Sequence, residues 1–460
     1  MRQAIAPICL LLTYLVLTVP MVIIEAGRPP VSDPSLESVR KQLPSELKDQ
    51  DDYHLPVIET MIEQWPSPDI VHYESATAPG YHLLMAASST LTTGTKAPML
   101  LVNWCIGLLL TLTVYALLRR VVPGWVAAAL TLPLMLSKYV LGAAIWLTTD
   151  NAAMLMVMIV LLLCGLPGSK SGRPAVLMCA GLAAAGAVWT RQIHLWVAAP
   201  IGLCGVLASP LHRFVPRTFR VETGKISWVP LIVAIVAAAM PVAVVGALVA
   251  IWGGLVPVAS EAITKHAGGL NPATPAFALS LCAFFGVFVL GGSVDIVRRV
   301  RPGDLTLLIA AAVGLGTALL PATAWLRNVR DYGWLWRPGV QTVPSVADRS
   351  LLLAVLAPVG AVMVVVLYRA AAARERGPNA AVLLLTMLGW MLAQSVNAMA
   401  WQRYFEPFVL ALLLALAALS LDTSDKAACR RLVFGAVALG AGQFALTAWL
   451  VYRPFLANVL

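Results

Sequence analysis

The chain of 460 residues is 60% hydrophobic and only 12% charged, about half the charged fraction of a soluble globular protein. Apolar runs long enough to cross a bilayer recur along almost its whole length. This excludes a soluble fold and predicts an all-α polytopic membrane protein, with one integral membrane domain over residues 1–460. The net charge of +10 lies in short basic clusters between apolar runs, so cytoplasmic loops explain it better than a nucleic-acid partner.

The apolar segments predict about 13 membrane-spanning helices. They lie near residues 4–24, 97–118, 122–145, 151–166, 175–190, 193–208, 229–252, 273–294, 304–324, 350–368, 380–400, 405–421 and 432–452. The first segment is longer than the apolar core of a typical signal peptide and lacks a clear cleavage site, so it is expected to be retained. Residues 78–92 predict a further short or re-entrant helix.

Basic residues between the spans orient the chain. The clusters at 119–120, 170–173, 213–225, 298–301, 369–376 and 426–431 fall on one side, which the positive-inside rule makes cytoplasmic. Residues 25–96 then form a large extracytoplasmic loop, and residues 25–80 hold eleven of the chain's 22 acidic residues. Residues 253–272 and 325–349 form further extracytoplasmic loops, and 325–349 is expected to be a donor-binding loop.

Seven basic residues violate the positive-inside rule, and all of them lie at the extracytoplasmic edge. They are Arg191, Lys265, Arg327, Arg330, Arg337, Arg349 and Arg403. A charge near hydrocarbon is costly and usually has a partner. These cations, facing an acidic outer loop, therefore predict a site that binds an anion next to a carboxylate.

The motif DQDDYHLP, at residues 49–56, concentrates acids just after the first span. An aspartate there could act as a general base toward a sugar hydroxyl, with His54 orienting it or binding a phosphate. The alternative is a solvated juxtamembrane loop, where acids are ordinary. The next stretch, VIETMIEQW, has apolar residues at helical spacing and predicts an amphipathic helix in the membrane interface.

Polar residues break apolar sequence at two further outer boundaries. In WLTTDNAAM, Asp150 is expected to cap the following helix, and a cap can also orient a site. In WTRQIHLW, Arg191 and Gln192 interrupt a continuous apolar run, which indicates a functional site. A structural ion pair between Arg191 and Asp150 is the alternative.

Two motifs in later outer loops also carry cations. TKHAGGLNPATP places Lys265 and His266 ahead of a helix start, where they could bind phosphate or belong to an ordinary loop. RNVRDYGWLWRP interleaves arginines with aromatic residues. Such a pattern is typical of an interfacial belt, but it would also suit sugar stacking and bidentate phosphate binding.

A last motif, WQRYFEPF, puts Arg403 and Tyr404 at the very start of a span, where a charge pair could be a local salt bridge. The shared extracytoplasmic side of all these motifs is what indicates a common site.

The motifs occur in the order found in the dolichyl-phosphate-glucose α-1,2-glucosyltransferase family, which the chain resembles over about residues 45–410. The resemblance is carried by DDYHLP, TAPG, TTDNAAM, RQIHLW, KH before a Pro-led helix, RDYGWLWR and RYFEPF. Members of that family add the terminal glucose to the lipid-linked oligosaccharide used in N-glycosylation. The resemblance implies a type C glycosyltransferase fold and a polyprenyl- or dolichyl-phosphate hexose as donor.

The chain departs from the family pattern at two positions. The family has an acidic pair before a His-x-Pro, and here Gln50 stands at the first acid and Asp51 at the second. Either Asp51 or Asp52 is therefore the expected catalytic carboxylate. Asp331 stands where the family usually has a histidine. The Ala/Gly/Val-rich helices suggest a bacterial homologue, with an acceptor glycan or lipid-linked acceptor other than the N-glycan precursor.

The resulting hypothesis is an inverting hexosyl transfer at the extracytoplasmic face, with glucose as the expected sugar and no metal or cofactor. Asp51 or Asp52 would deprotonate the acceptor hydroxyl, and outer-edge cations would bind the donor phosphate. The phosphate-binding candidates are Arg191, Arg330, Arg337, Arg403, Lys265 and His266. The substrate-orienting candidates are His54, Asp150, Gln192, Tyr332, Trp334 and Tyr404.

The expected location is the bacterial cytoplasmic membrane with the site outside, or the ER membrane with a lumenal site in a eukaryote. A transporter or flippase of an anionic lipid or solute is the rival hypothesis. It is less favoured because transporters often show related halves and polar sites at mid-membrane, whereas here the charges cluster at one face.

Overall fold

A computed structural model describes residues 2–28, 43–92, 94–166, 172–216, 220, 226–257, 269–298, 303–323, 333–335, 345–397 and 401–459. In chain order its α-helices are α1 (Arg2–Gly27), α2 (Ser45–Asp49), α3 (Leu55–Glu63), α4 (Gly80–Thr90), α5 (Lys96–Arg119), α6 (Gly124–Met135), α7 (Lys138–Ile145), α8 (Asp150–Val160), α9 (Pro174–Thr190), α10 (Ala198–Leu207), α11 (Val229–Trp252), α12 (Thr274–Val289), α13 (Val294–Val297), α14 (Leu305–Leu319), α15 (Leu351–Ala372), α16 (Gly377–Ser395), α17 (Gln402–Ser420), α18 (Lys426–Thr447) and α19 (Arg453–Val459).

Shorter elements join these helices. Turns of π-helix follow α2 (Gln50–His54), α8 (Leu161–Gly165) and α18 (Ala448–Tyr452), and turns of 3-10 helix lie at Gln192–Val197, Pro210–Phe214 and Leu290–Ser293. Among the described residues the only strands are β1 (Ser345–Val346) and β2 (Arg349–Ser350), which pair antiparallel. The all-α fold predicted from the sequence is confirmed.

Seven of the described helices are long and apolar enough to cross a membrane, so the chain is an integral membrane protein. They are Ile5–Gly27, Lys96–Arg119, Val229–Trp252, Thr274–Val297, Leu351–Ala372, Gln402–Ser420 and Lys426–Ala457. Helices α6 and α7, bent by 73° at their junction, would make an eighth span if taken together. The bend lies where Ser137 begins α7 by accepting a hydrogen bond from the backbone N–H of Tyr139.

Each of the segments predicted to span falls on a helix, yet fewer helices have spanning length than the predicted number. Four segments form apolar helices of only 15–17 residues: Asp150–Gly165, Pro174–Thr190, Gln192–Leu207 and Leu305–Leu319. At 1.5 Å per residue they are about 22–26 Å long, shorter than a hydrocarbon core of about 30 Å. Hydropathy detects these segments because they are apolar, but it does not measure their length.

Helix α17 is the central helix of the bundle. Of its apolar window 83% is buried inside the protein, compared with 22% for α11. A helix that is apolar on all sides is suited to such a core, whereas the exposed apolar face of α11 is suited to lipid. The core position of α17 fixes the two polar residues at its first turn, Arg403 and Tyr404.

The segment after α1 packs onto the bundle rather than extending away from it. Leu55, Val57, Ile58 and Met61 form the buried face of α3 and belong to the main core, so the predicted amphipathic helix turns this face toward protein. The predicted short helix at 78–92 is α4, which is 11 residues long. Gly80 opens α4 against Trp189, where a Cβ atom would lie 2.2 Å from Trp189 Cδ1.

Candidate functional site

Two arginines from distant helices meet at one tyrosine ring. Arg191 follows the last residue of α9, and its guanidinium carbon lies 4.3 Å from the centroid of the Tyr404 ring. Arg403, in the first turn of α17, lies 5.1 Å from the same centroid, and its Nη2 donates a hydrogen bond to Tyr404 Oη at 3.1 Å. The arginine side chains are only 13% and 16% exposed. Two positive charges are thus held in a largely buried place.

Each arginine has a carboxylate partner from another element. Arg191 forms an ion pair with Asp150, and Arg403 forms one with Asp49, the last residue of α2. The Arg191–Asp150 pair that the sequence offered as a structural alternative is therefore present. The prediction that Asp150 caps α8 is wrong, because Thr149 occupies the capping position and Asp150 is the first helical residue. There its negative charge favours the N-terminus of the helix.

The aspartates of DQDDYHLP point to different partners. Asp51 accepts hydrogen bonds from Arg28 Nη2 at 2.8 Å on both of its oxygens. Arg28 also pairs with Glu25 at 2.8 Å, and Lys96 pairs with Glu25 as well. Asp51 thus belongs to a buried ion network at the end of α1, whereas Asp49 contacts Arg403. Asp49 was not among the residues predicted for the site, although its place in the acidic motif DQDDYHLP was a usable signal.

Gln50 explains one departure from the family pattern. Its side chain is fully buried, and its Nε2 donates to Glu25 Oε1 at 2.8 Å and to Asp51 Oδ1 at 3.1 Å. Its Oε1 accepts from the backbone N–H of Leu147 at 2.8 Å. An acid here would add a third carboxylate next to Glu25 and Asp51. The amide instead donates to both acids and fastens the turn to the loop before α8.

His54 is the last residue of the π-helical turn and begins a chain of hydrogen bonds. Its Nδ1 is 2.8 Å from His82 Nε2, and His82 Nδ1 is in turn bonded to the hydroxyl of Tyr73. Burial, together with the charge of Arg191, lowers the pKa of His54 to about 3. Burial also lowers the pKa of His82 well below its usual value. Both rings are therefore neutral at pH 7, and His54 lacks the positive charge that would attract a phosphate.

Other predicted residues have structural contacts. Gln192 Nε2 donates to the backbone oxygens of Ala76 at 3.1 Å and Leu255 at 2.7 Å, so it ties two loops together. Trp334 Nε1 donates to Glu406 Oε2 at 2.9 Å. Five candidates fall outside the described residues, namely Lys265, His266, Arg330, Tyr332 and Arg337.

A small cleft opens at the arginine pair, with a cavity volume of about 40 Å³. Asp150, Arg191, Arg403 and Tyr404 line it together with aromatic residues. Within the described part of the chain, Arg403 Nε is buried and makes no hydrogen bond. A guanidinium donor left unused beside a cleft can bind an oxygen of an anionic ligand.

Comparison with known proteins gives structural likenesses but no family. No protein-family model matches the sequence, and no curated protein matches it. The archaeal oligosaccharyltransferase AglB from Archaeoglobus fulgidus, in complex with an inhibitory peptide and a dolichol-phosphate, is similar at a TM-score of 0.46 and 16% identity, over 94% of this chain and 56% of that one. The Archaeoglobus fulgidus oligosaccharyltransferase tethered to an acceptor peptide containing the NVT sequon gives 0.45 and 16%, over 97% and 55%.

ArnT from Cupriavidus metallidurans in the apo state has a TM-score of 0.34 and 14% identity, over 84% of this chain and 76% of that one. All three TM-scores are below 0.5. The chain spans a little over half the length of the oligosaccharyltransferase chains that it matches.

Proposed function

We propose that the protein is a type C glycosyltransferase that moves a hexose, with glucose as the expected sugar, from a polyprenyl- or dolichyl-phosphate donor to an acceptor hydroxyl at the extracytoplasmic membrane face. The observation that carries this proposal is the convergence of Arg191 and Arg403 on Tyr404 at one cleft, next to the aspartate-bearing turn at 49–54. The sequence placed these elements on one side of the membrane, and their contacts support that placement.

The arginine pair is suited to hold the phosphate of the donor. Guanidinium groups present several N–H donors in a fixed plane and bind phosphate oxygens in pairs. Asp49 and Asp150 balance the two charges when no donor is bound, so the site can keep its cations at low exposure. When the bond between C1 and the phosphate oxygen breaks, the electron pair stays on the phosphate, and the arginines stabilise the added charge.

We assign the general base to Asp52. Asp51 is the weaker candidate because both of its oxygens are bound by Arg28. Asp52 lies in the π-helical turn that directly follows Asp49, the partner of Arg403. It would take the proton of the acceptor hydroxyl as that oxygen attacks C1 from the face opposite the phosphate, which inverts the anomeric centre.

The test is hexosyl transfer in membranes supplied with a labelled polyprenyl-phosphate hexose. Asp52→Asn is expected to lower the transfer rate about 10²–10⁴-fold, while donor binding is retained. Asp51→Asn is expected instead to lower stability by about 3 kcal/mol, because it removes one partner of the buried Arg28. Asp69→Asn, at an exposed carboxylate of the same loop, is the matched control.

Arg403→Ala is expected to weaken donor binding, and Arg431→Ala, at an exposed arginine on α18, serves as its control. Undiminished transfer by Asp52→Asn would refute the assigned base. Donor binding without any glycosyl transfer by the wild-type protein, combined with movement of the lipid between leaflets, would favour the flippase hypothesis.

A further inference from the structure

We propose that Gln394, Trp196 and His194 form a subsite for the uncharged sugar ring of the donor, next to the arginine pair. This inference rests on the proposed function and extends it to the class of sugar. It starts from three buried polar atoms that make no hydrogen bond within the described structure: Gln394 Oε1, Trp196 Nε1 and His194 Nδ1. Buried polar atoms are nearly always paired, so unpaired ones grouped at one cleft indicate a site that binds a polar ligand.

The three residues share one cavity wall. All of them line the cleft that Arg191 and Arg403 also line. Gln394 and Trp196 are only 2% and 7% exposed, so bulk water reaches them poorly. Trp196 and His194 belong to the 3-10 turn that follows Arg191, and Gln394 lies near the end of α16. A ligand whose phosphate lies at the arginines would therefore place its adjoining group near these atoms.

The hydrogen-bonding capacity of the three atoms determines which kind of ligand can satisfy them. Gln394 Oε1 accepts hydrogen bonds and cannot donate them, whereas Trp196 Nε1 can only donate. A second phosphate oxygen would satisfy the indole but would face the amide oxygen without a proton to share. A hydroxyl group both donates and accepts, so a ring carrying several hydroxyls can satisfy all three atoms. The wall is thus suited to a neutral polyol rather than a second anion.

Aromatic packing holds this wall in place. The ring centroid of Phe408 lies 4.8 Å from that of Trp196 and 4.6 Å from that of Trp390. All three rings line the cleft, and Phe408 and Trp390 are buried. The contact with Phe408 restrains the Trp196 indole and its N–H. A flat apolar surface beside hydrogen-bonding groups also suits the apolar face of a pyranose ring.

The same wall argues against a cationic amino sugar. Among the described residues that line the cleft, Asp150 is the one carboxylate, and it is already paired with Arg191. An ammonium group on the sugar would lack a carboxylate of its own and would lie close to two arginines. The subsite is therefore expected to favour a neutral hexose.

The test compares binding of two probes to the purified protein: polyprenyl-phosphate glucose, and polyprenyl phosphate without the sugar. Gln394→Met removes the hydrogen-bonding amide at nearly constant side-chain volume, and Trp196→Phe removes the indole N–H while keeping an aromatic ring. Each is expected to weaken binding of the sugar-bearing probe about tenfold and to leave binding of the sugar-free probe unchanged. Gln443→Met is the matched control, because Gln443 is also buried with unpaired amide atoms but does not line the cleft.

The outcomes separate this subsite from the function on which it rests. Arg403→Ala should weaken binding of both probes, and failure to do so would count against the proposed function itself. If Arg403→Ala weakens both probes while Gln394→Met and Trp196→Phe weaken neither, the sugar subsite is refuted and the phosphate site stands. Equal weakening of both probes by the Gln394 and Trp196 variants would also overturn the subsite.

Discussion

At the scale of single residues, the hydrogen-bonded pair of His54 and His82 stays neutral near pH 7. His54 and His82 are hydrogen-bonded to each other, and Tyr73 holds the far side of His82. Because both rings remain uncharged near neutral pH, they can lie close to a guanidinium group without adding to its repulsion. The hydrogen-bonded chain also restrains the orientation of the His54 ring.

This pair makes stability sensitive to acid. The pKa of His54 falls from 6.5 to about 3 on folding, so between these values the unfolded chain binds more protons than the folded one. Lowering the pH below 6.5 therefore favours unfolding, by up to about 1.4 kcal/mol per pH unit for each such histidine. In detergent, the drop in unfolding temperature between pH 7.5 and 5.5 is expected to be smaller for the double variant His54→Gln/His82→Gln than for the wild type.

The control for this measurement is His72→Gln, since the His72 side chain is 78% exposed. That variant should keep the full acid sensitivity of the wild-type protein. An undiminished drop in the double variant would show that the acid response arises elsewhere in the chain.

Residue chemistry at the site was partly accessible from the sequence. Cations that violate the positive-inside rule, such as Arg191 and Arg403, can be recognised because charge near lipid requires a reason. Their partners cannot be read from spacing, since Asp49 and Arg403 are 354 positions apart. Gln50 could be seen as a departure from a pattern, but its benefit depends on three contacts that only the folded chain brings together.

At the scale of elements, the contact between α4 and the end of α9 positions Arg191. Gly80, the first residue of α4, lies against both the side chain and the backbone oxygen of Trp189. Trp189 is two residues before Arg191 in the chain. Any displacement of Trp189 is therefore transmitted to the guanidinium group that faces Tyr404.

Gly80→Ala is expected to destabilise the protein by about 1–3 kcal/mol, because its Cβ would overlap Trp189. It should also reduce hexosyl transfer in the fraction that remains folded, as Arg191 shifts. Thermal unfolding and transfer assays on the same membranes measure the two effects. Gly202→Ala is the control, since a Cβ there meets no atom within 4 Å and alanine favours a helix. Equal behaviour of the two variants would contradict the tight contact.

Helix positions followed well from the sequence, and helix lengths did not. Apolar runs mark where the chain is helical, because buried and lipid-exposed helices are both apolar. The end of α9 at Thr190 depends on the turn at Arg191, where the backbone is extended with φ −151°. That turn exists because Arg191 reaches Asp150 and Tyr404, which are tertiary contacts.

At the scale of the whole molecule, the ion pairs around the arginine pair lie at one end of the bundle. Glu25 lies in the last turn of α1, Lys96 begins α5, Asp150 begins α8, Arg191 follows α9 and Arg403 lies in the first turn of α17. All five take part in ion pairs with one another or with the segment at 49–51. This common end is the one that the sequence assigns to the extracytoplasmic side.

The assignment predicts opposite labelling of two exposed loops. Cysteines are introduced by Asp69→Cys, in the loop before α4, and Asp422→Cys, between α17 and α18, after the native exposed Cys9 and Cys179 are replaced by serine. A membrane-impermeant maleimide added to intact cells is expected to label the first cysteine and to reach the second only after the cells are opened. The reverse pattern would invert the orientation and with it the side of the proposed reaction.

The pairing of Asp49 with Arg403 has a consequence for biosynthesis. The aspartate emerges from the ribosome when barely a tenth of the protein exists, and its partner follows 354 positions later. Until α17 has been made and inserted, Asp49 lacks its guanidinium partner and the proposed phosphate site has only one of its two arginines. A truncated or misinserted product would thus fail to bind the proposed donor. The protein could bind it only after nearly the whole chain has been made and inserted.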